Sequence, residues 1–355
     1  MPIQSNKPSS RGTGLNPSGR FSTREDSVFD DGWGFEEVAP IRTELRTEKA
    51  RRIITRNTSP DLSFDRSVNP YRGCEHGCIY CFARPTHAYL DLSPGLDFET
   101  KLTVKPNAPD RLARELSAKG YTPAPMAFGT NTDPYQPVEL KQNVMRQCLD
   151  VLRDFQHPVM ITTKGALIER DLDILSDLAA NSLVSVGISV TTLDARLCRQ
   201  MEPRAPSPER RLKAIERLAD AGVPVRVLAS PMIPGLTDHE LEAILTAARD
   251  AGASASSWVL LRQPFEVAEL FRDWLQACVP DQANKVMARI RESHGGMDYD
   301  SKWFKRMRGE GLYAKMISQR YKVAVRRLGL SESGPNLRTD LFHVPPRAGD
   351  QLSLF

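Results

Sequence analysis

Three closely spaced cysteines mark the part of this chain best suited to metal chemistry. Cys74, Cys78 and Cys81 follow the spacing C-x₃-C-x₂-C, and Gly73 and Gly77 flank them. A four-iron cluster is closed by four cysteines. Three leave one iron open, and an open position distinguishes a catalytic metal site from a structural one. Because both glycines let the loop turn tightly around a bulky group, the spacing predicts a [4Fe–4S] cluster with one free coordination position.

A structural zinc ion is the alternative for the same cysteines. His76 or His87 would then complete a Cys₃His set. Zinc knuckles usually pair two short C-x₂-C units, and the sequence has no second unit. The spacing therefore favours the cluster, and a zinc-stabilised nucleic-acid-binding module stays open as the alternative.

Polar residues follow two neighbouring apolar runs. Thr132 and Asp133 come after the run 125–128, and their hydroxyl and carboxylate suit a zwitterionic amino acid. The alternative is an Asx-type turn that caps the next helix. Lys164 follows the run 158–162, where its charge suits a carboxylate, although an exposed lysine is a common alternative.

Two later segments have the same layout. Ser189 lies near the end of the run 183–190, where a small hydroxyl suits the mouth of a barrel. Arg204 lies in the stiff, proline-containing loop 201–206. Met232 follows the run 223–228 and offers an apolar contact.

The polar residues named above can form one site only if the strands before them end at the same edge of a sheet. Apolar runs alternate with helical patterns from residue 125 onward, which predicts βαβ units and a parallel sheet. Strands are expected at 125–128, 158–162, 183–190, 223–228 and 258–261, and helices at 138–155, 169–181, 208–221 and 238–251. About six such units are indicated, fewer than the eight of a full TIM barrel. We therefore expect an α/β fold, a partial (β/α)₆ TIM-type barrel with a helical C-terminal extension and disordered termini.

Composition divides the chain further. Residues 1–40 lack apolar periodicity and are expected to be disordered. Residues 41–270 hold the barrel, with a basic, helix-like lead-in at 44–56. Residues 271–330 are helical and basic, and residues 331–355 carry Ser, Gly and Pro and are expected to form a flexible tail.

The bulk numbers indicate a globular protein. The 355 residues are 40% hydrophobic and 26% charged, and the net charge of +4 permits nucleic-acid binding without arguing for it. No apolar run is long enough to span a bilayer, and the N-terminus lacks the apolar centre of a secretory signal. Cys148, Cys198 and Cys278 are scattered singly, unlike a disulfide framework. We therefore expect a cytoplasmic protein without a membrane partner.

Basic and aromatic side chains alternate in the C-terminal part, over Lys302–Arg308 and Tyr313–Lys322. Such a pattern can bind phosphates and stack on bases. The alternative is an amphipathic helix with Trp303, Phe304 and Tyr321 in the core and the cations on its solvated face.

The cysteine triplet, with Tyr80 just before its last cysteine, resembles the signature of the radical S-adenosylmethionine (SAM) superfamily. The motifs together resemble the branch that includes spore photoproduct lyase. The stretch from residue 59 through 81–89 and on to 96–98 resembles more closely a bacterial group labelled "DNA repair photolyase-like". This resemblance covers most of residues 40–330. It implies SAM on the open iron and a 5′-deoxyadenosyl radical, released when an electron donor such as flavodoxin or ferredoxin reduces the cluster.

The resemblance also implies roles for single residues. Tyr80 would lie beside the adenine, Met232 would offer it an apolar contact, and Lys164 would face the carboxylate of SAM. The expected cofactor contacts are Tyr80, Thr132, Asp133, Lys164, Ser189, Arg204 and Met232. One position departs from the lyase, which keeps a hydrogen-donating cysteine shortly before the Ser/Thr-Asp pair. Thr130 holds that place here, so a thymine-dimer lyase with the same donor is not expected; Tyr71 and Tyr135 are other possible donors.

The final residues resemble the pentapeptide with which bacterial proteins dock on the DNA polymerase sliding clamp. Leu354 and Phe355 would fill an apolar pocket, Leu352 would make a secondary contact, and Gln351 would bond at the rim. The alternative is a tail that packs on its own domain. Together these features predict a radical SAM enzyme that repairs or modifies DNA; the alternative is a radical SAM enzyme that acts on a protein or a small molecule.

Overall fold

The computed structural model describes residues 11–22 and 41–346, which form two β-sheets covered by helices. The strands are β1 (Glu44–Thr47), β2 (Ile54–Arg56), β3 (Arg66–Val68), β4 (Tyr71–Arg72), β5 (Lys101–Val104), β6 (Met126–Phe128), β7 (Val159–Thr163), β8 (Val184–Ser189), β9 (Val225–Met232) and β10 (Ala255–Leu260). The helices are α1 (Asp97–Thr100), α2 (Ala108–Leu116), α3 (Glu139–Gln142), α4 (Val144–Asp154), α5 (Leu172–Ala180), α6 (Ala195–Met201), α7 (Pro208–Asp220), α8 (Leu241–Asp250), α9 (Val267–Cys278), α10 (Pro280–Glu292) and α11 (Gly311–Leu328). None of these helices is long and apolar enough to cross a membrane.

The larger sheet is the expected partial barrel. Its seven strands have the order β10-β9-β8-β7-β6-β3-β2. All neighbours run parallel except the edge pair β2 and β3, which is antiparallel. Six parallel strands therefore confirm the (β/α)₆ prediction, and the helices α9–α11 confirm the helical C-terminal region. The smaller sheet, of order β1-β5-β4, leads into the cysteine loop.

Side-chain alternation in the strands sets the two faces of the barrel. In β9, Val225, Val227 and Ala229 are buried in the main hydrophobic core, whereas Arg226 and Leu228 between them are only partly buried. Successive side chains of a strand point to opposite faces, so the apolar row faces the helices and the other row faces the barrel interior. By register the interior rows of β6, β7 and β8 include short side chains, such as Ala127, Thr162, Ser185 and Gly187.

Part of the N-terminal segment differs from the expectation of disorder. The Arg11 side chain is 1% exposed and donates hydrogen bonds to the carbonyls of Glu99 (3.0 Å) and Ile41 (2.8 Å). The carbonyl of Leu15 accepts from the N–H of Leu96 at 3.0 Å. Residues 11–22, here called the N-terminal strap, are held by these polar contacts together with the packing of Leu15 on a hydrophobic cluster, and they show no apolar periodicity that would have predicted this.

Residues 331–343, here called the tail strap, correct the prediction of a flexible tail from residue 331. Ser331 forms a bridge with Ala255 of β10, and the N–H of Arg338 donates to the carbonyl of Ser182 just before β8. Phe342 packs against Phe155, His157 and Tyr121. The strap thus passes below the N-terminal ends of several barrel strands, where backbone bonds and one aromatic ring hold a sequence otherwise poor in apolar residues.

The prediction of a helix-like lead-in at residues 44–56 is also wrong. Residues 44–47 and 54–56 are β1 and β2, which pair with β5 and β3. All four residues of β1 are exposed, so this strand has no apolar alternation for the sequence to display. Pairing with a neighbouring strand therefore decides its conformation.

Candidate functional site: the cysteine loop at the mouth of the barrel

The cysteine loop follows β4 and turns through two glycines. Gly73 and Gly77 have φ angles of +77° and +67°, in the left-handed region that glycine tolerates best. A Cβ at Gly77 would lie 2.6 Å from Oε2 of Glu99, so glycine is also required by space. Cys74 and Cys78 are each 7% exposed, and Cys81 is half-buried.

A buried arginine, Arg84, supports the backbone of this loop. Arg84 is fully buried, forms an ion pair with Glu99 at 2.5 Å and donates to the carbonyls of Cys78 (2.9 Å) and Gly77 (3.2 Å). The N–H of Gly12, from the N-terminal strap, donates to the same Glu99 carboxylate at 2.8 Å. The loop is therefore held in shape by fixed charges on the side away from the thiols.

The three thiols lie close enough to influence one another electrostatically. Burial raises the pKa of Cys74, and Asp133, Cys78 and Cys81 raise it further. Burial likewise raises the pKa of Cys78, which the ammonium of Lys164 partly offsets. Thiolates in such surroundings need strong positive charge, which the irons of a cluster supply. The donor set and its burial fit a cluster bound by these cysteines.

The zinc alternative finds no support in the positions of the histidines. Nδ1 of His76 lies 3.3 Å from Oδ2 of Asp133, and Nε2 of His87 lies 3.0 Å from the carbonyl oxygen of Lys101. Each imidazole therefore has an oxygen partner within the protein instead of standing as the fourth ligand of the cysteines.

Asp133 joins the cysteine loop to two strand ends. Its carboxylate accepts from the Thr163 hydroxyl (2.6 Å) and from the N–H groups of Lys164 (2.8 Å) and Tyr135 (2.9 Å), and it pairs with His76. Burial alone would raise the pKa of Asp133, but the charge and hydrogen bond of His76, with the Lys164 and Thr163 bonds, lower it to about 2. The bond to Tyr135 forms an Asx-type turn, but this turn does not cap the next helix, because α3 begins at Glu139 and its N-cap residue is Val138.

Thr132 also contacts the cysteine loop. Its hydroxyl donates to the carbonyl of Gly73 at 2.6 Å and accepts from Nε2 of Gln136 at 3.0 Å. Gln136 in turn accepts from the N–H of Glu75 at 2.9 Å. Hydrogen bonds therefore join the loop after β6 directly to the loop that carries the cysteines.

Lys164, Tyr80 and Cys78 come together at one side of the loop. Nζ of Lys164 lies 5.7 Å from the centre of the Tyr80 ring, and its charge acts on the Cys78 thiol. The Tyr80 hydroxyl donates to Glu202 and lies 3.1 Å from the Thr191 hydroxyl. Sequence reasoning placed Lys164 and Tyr80 in the site, and the structure brings them into contact.

A buried ion pair beneath Tyr80 was not recognised from the sequence. Glu202 and Arg211 are 0% and 1% exposed, and Arg211 also donates to the carbonyl of Ser189 at 3.1 Å. Glu202 therefore fixes the Tyr80 ring, while Arg211 fixes the end of β8. Glu202 lies in the proline-containing loop 201–206 and Arg211 lies on α7, and only their spatial pairing gives them this role.

The remaining expected SAM contacts, Ser189, Arg204 and Met232, differ in their exposure and in the partners they already have. Ser189 is 5% exposed at the C-terminal end of β8. Arg204 is partly exposed, and its guanidinium donates to Glu75 of the cysteine loop at 3.1 Å. Met232 is fully buried in the main core, so its side chain packs within the protein.

Two polar side chains near the ends of the last strands lack partners. Within the described part of the chain, neither amide atom of Gln263 nor the Ser230 hydroxyl has a hydrogen-bond partner. Gln263 is 1% exposed and lies three residues after the end of β10. An unbonded buried amide is costly, so a bound ligand that satisfies it would be stabilised. The missed residue Gln263 is thus a further candidate ligand contact.

Comparison with known proteins decides the family. The model of the Radical SAM superfamily matches residues 68–248. The chain belongs to the radical SAM superfamily. An uncharacterized protein of Mycobacterium tuberculosis is 38% identical over 233 residues, which are 65% of this chain and 67% of that protein.

Solved structures agree on the fold. Spore photoproduct lyase in complex with dinucleoside spore photoproduct matches with a TM-score of 0.58 and 14% identity, over 81% of both chains. A variant of that lyase with bound AdoMet and the same dinucleoside matches with a TM-score of 0.58 and 14% identity, over 83% of this chain and 87% of that chain. The protein is therefore a radical SAM enzyme, a class that uses a [4Fe–4S] cluster and SAM.

Proposed function

We propose that Cys74, Cys78 and Cys81 bind the [4Fe–4S] cluster and that SAM binds its open iron. The observation that carries this is the convergence of two buried thiols and one half-buried thiol with the Lys164 ammonium and the Tyr80 ring. When bound and reduced by a donor such as flavodoxin or ferredoxin, such a cluster would supply the electron for SAM cleavage. The chain's own residues hold SAM and keep water from the radical.

The expected SAM contacts then divide into two groups. Lys164 lies where it can meet the carboxylate, and Tyr80 lies where a ring can stack on adenine. Ser189 at the mouth and the partly exposed Arg204 also remain proposed contacts. Thr132, Asp133 and Met232 are already committed to contacts within the protein, so we propose that they act by positioning the loops around SAM.

We further propose that the substrate is DNA, which the enzyme repairs or modifies. The support is the exposure of Trp303 and Phe304, at 54% and 63%, beside four cations in the stretch 302–308. The alternative from the sequence placed these rings in the core, where of the three aromatics only Tyr321 lies. Exposed rings with cations suit base stacking and phosphate contact.

The position held by Thr130 argues for chemistry other than that of spore photoproduct lyase. Its hydroxyl is half-buried and bonds to Asn69 at 3.0 Å. The two tyrosines considered as hydrogen donors, Tyr71 and Tyr135, are buried in the main core. We therefore propose a different final donor or a different radical reaction.

The clamp-like motif lies outside the described residues, so sliding-clamp binding through Gln351, Leu352, Leu354 and Phe355 stays a proposal. The tail strap ends at His343, which leaves only a short connection before the motif. We propose that the tail recruits the enzyme to the clamp in the cytoplasm without taking part in catalysis.

The substrate proposal is tested with damaged DNA. Cluster-loaded protein, reductant and SAM are incubated with irradiated duplexes, which are then digested and examined by mass spectrometry. We expect SAM-dependent loss of one lesion or gain of one modified nucleoside. Unchanged DNA, with salt-independent or absent binding, would instead favour a protein or small-molecule substrate.

A further inference from the structure

The loop Ser301–Arg308, here called the aromatic loop, presents two adjacent rings to solvent between α10 and α11. Trp303 is 54% exposed and Phe304 is 63% exposed. Phe304 has a φ of +65°, in the left-handed region that bulky residues rarely adopt. Folding gains little from an exposed ring on an unfavourable backbone. Such strain is typical of functional sites.

Residues outside the loop hold this conformation. The Asp61 carboxylate accepts from the N–H of Phe304 at 3.2 Å and from the Arg306 guanidinium at 2.5 and 2.8 Å. The Asp61 side chain is only 4% exposed. Within the loop, the carbonyl of Lys302 accepts from the N–H groups of Lys305 and Arg306. The two rings are therefore presented by a rigid support.

The support spans the open side of the barrel. Asp61 belongs to the loop between β2 and β3, at one edge of the seven-stranded sheet, and β10 is the other edge. The N–H of Leu260, the last residue of β10, donates to the carbonyl of Met307 at 2.8 Å. The aromatic loop thus joins the two free edges and forms the rim of the opening between them.

The same rim reaches the cysteine loop. Phe82 directly follows Cys81, and the Arg262 guanidinium lies 4.5 Å from the centre of its ring. Arg262 also donates to the hydroxyl of Tyr299, just before the aromatic loop, at 3.4 Å. A group bound at the rim therefore lies on a continuous surface that leads to the proposed cluster.

The charges beside the rings favour a nucleic acid. Lys305 is paired with Glu310, and Arg306 is paired with Asp61. Lys302 is exposed and forms no ion pair with any residue that the structure describes, whereas the Arg308 guanidinium lies 5.0 Å from the centre of the buried Trp258 ring. A cation next to exposed aromatic rings matches the phosphates that flank a base step.

We propose that Trp303 and Phe304 form a wedge that enters duplex DNA and replaces a nucleotide turned out toward the barrel. The proposal rests on the DNA substrate proposed above. An enzyme that modifies a base inside a duplex must extrude it, and apolar side chains inserted between base steps unstack them.

The test uses a short duplex with 2-aminopurine opposite a mismatched base. Binding of the wild-type protein should raise 2-aminopurine emission, because the probe leaves the stack. Trp303→Ala and Phe304→Gly should each weaken binding about tenfold, or about 1.4 kcal/mol, and remove the rise in emission. Phe304→Gly should melt at the same or a higher temperature, because glycine tolerates the positive φ. Weaker binding without weaker folding identifies a contact with DNA.

Two control variants and two possible negative results distinguish the wedge proposal from the proposal that DNA is the substrate. Val323→Ala removes another exposed apolar side chain and should bind like the wild type. Lys302→Ala should weaken binding to paired and mismatched duplexes alike and reduce the salt slope by about one. If the wild type binds no duplex at low salt, the DNA proposal fails and the wedge with it. If it binds, but both ring variants match it in affinity and emission, the wedge is wrong and DNA remains the substrate.

Discussion

The buried pair Glu202–Arg211 supports the Tyr80 side of the site, and its removal should be costly. Glu202→Gln keeps the shape of the side chain and its bonds to Tyr80 and Thr191, but it leaves Arg211 charged and unpaired. Breaking one partner of a buried pair typically costs about 3–5 kcal/mol. Arg211 keeps its bonds to the carbonyls of Ser189 and Pro206, so we expect the lower end, about 3 kcal/mol.

Urea unfolding followed by tryptophan fluorescence measures this free energy. The exposed pair Lys213–Glu216 is the matched control, with side chains 54% and 46% exposed. Glu216→Gln should cost less than about 1 kcal/mol. A double variant, Glu202→Leu with Arg211→Met, should be more stable than Glu202→Gln, because it leaves no buried charge. If Glu202→Gln costs no more than Glu216→Gln, the argument from buried charge is refuted.

Three further predictions concern SAM, pH and the tail. Lys164→Ala should weaken SAM binding to the cluster-loaded enzyme by about 1.5–3 kcal/mol, measured by equilibrium dialysis; unchanged affinity would make Lys164 a surface charge. Burial lowers the pKa of His157 from 6.5 to about 4. The stability it contributes is therefore complete above pH 6.5 and falls by about 3 kcal/mol as the pH drops to about 4. His157→Gln should flatten urea-unfolding stability over this range, and an unchanged slope would contradict it. A peptide that ends in Gln351–Phe355 should bind the sliding clamp, and Leu354→Ala with Phe355→Ala should cost at least about 2 kcal/mol; equal binding of both peptides would exclude these anchors.

The sequence predicted the barrel because its signals are local. In β8 the apolar residues Val184, Val186 and Ile188 alternate with small residues, and the whole strand is buried. Ser207 with Pro208 marks the start of α7, where the Ser207 hydroxyl accepts from the N–H of Arg210. The two straps could not be predicted in the same way. Arg11 and Ser331 are held by partners far along the chain, and no local pattern encodes such contacts.

The candidate site likewise combines features that the local sequence predicts with contacts between distant residues that it does not. The spacing of Cys74, Cys78 and Cys81 is local, and their loop stands at the mouth of the barrel, where the fold predicts it. The ion pairs that support the site, Arg84–Glu99 and Glu202–Arg211, join residues whose charges look like ordinary surface charges in the sequence. Their importance comes from complete burial, which only the packed structure reveals.

The most direct test of the central claim is SAM cleavage by protein reconstituted with iron and sulfide under anaerobic conditions. The wild type should be brown, bind about four irons per chain and release 5′-deoxyadenosine from SAM when reduced. Replacing any one of Cys74, Cys78 and Cys81 by alanine should abolish that product, whereas Cys278→Ala on α9 should retain it. A colourless wild-type protein that holds stoichiometric zinc, or continued SAM cleavage without these three cysteines, would contradict the account.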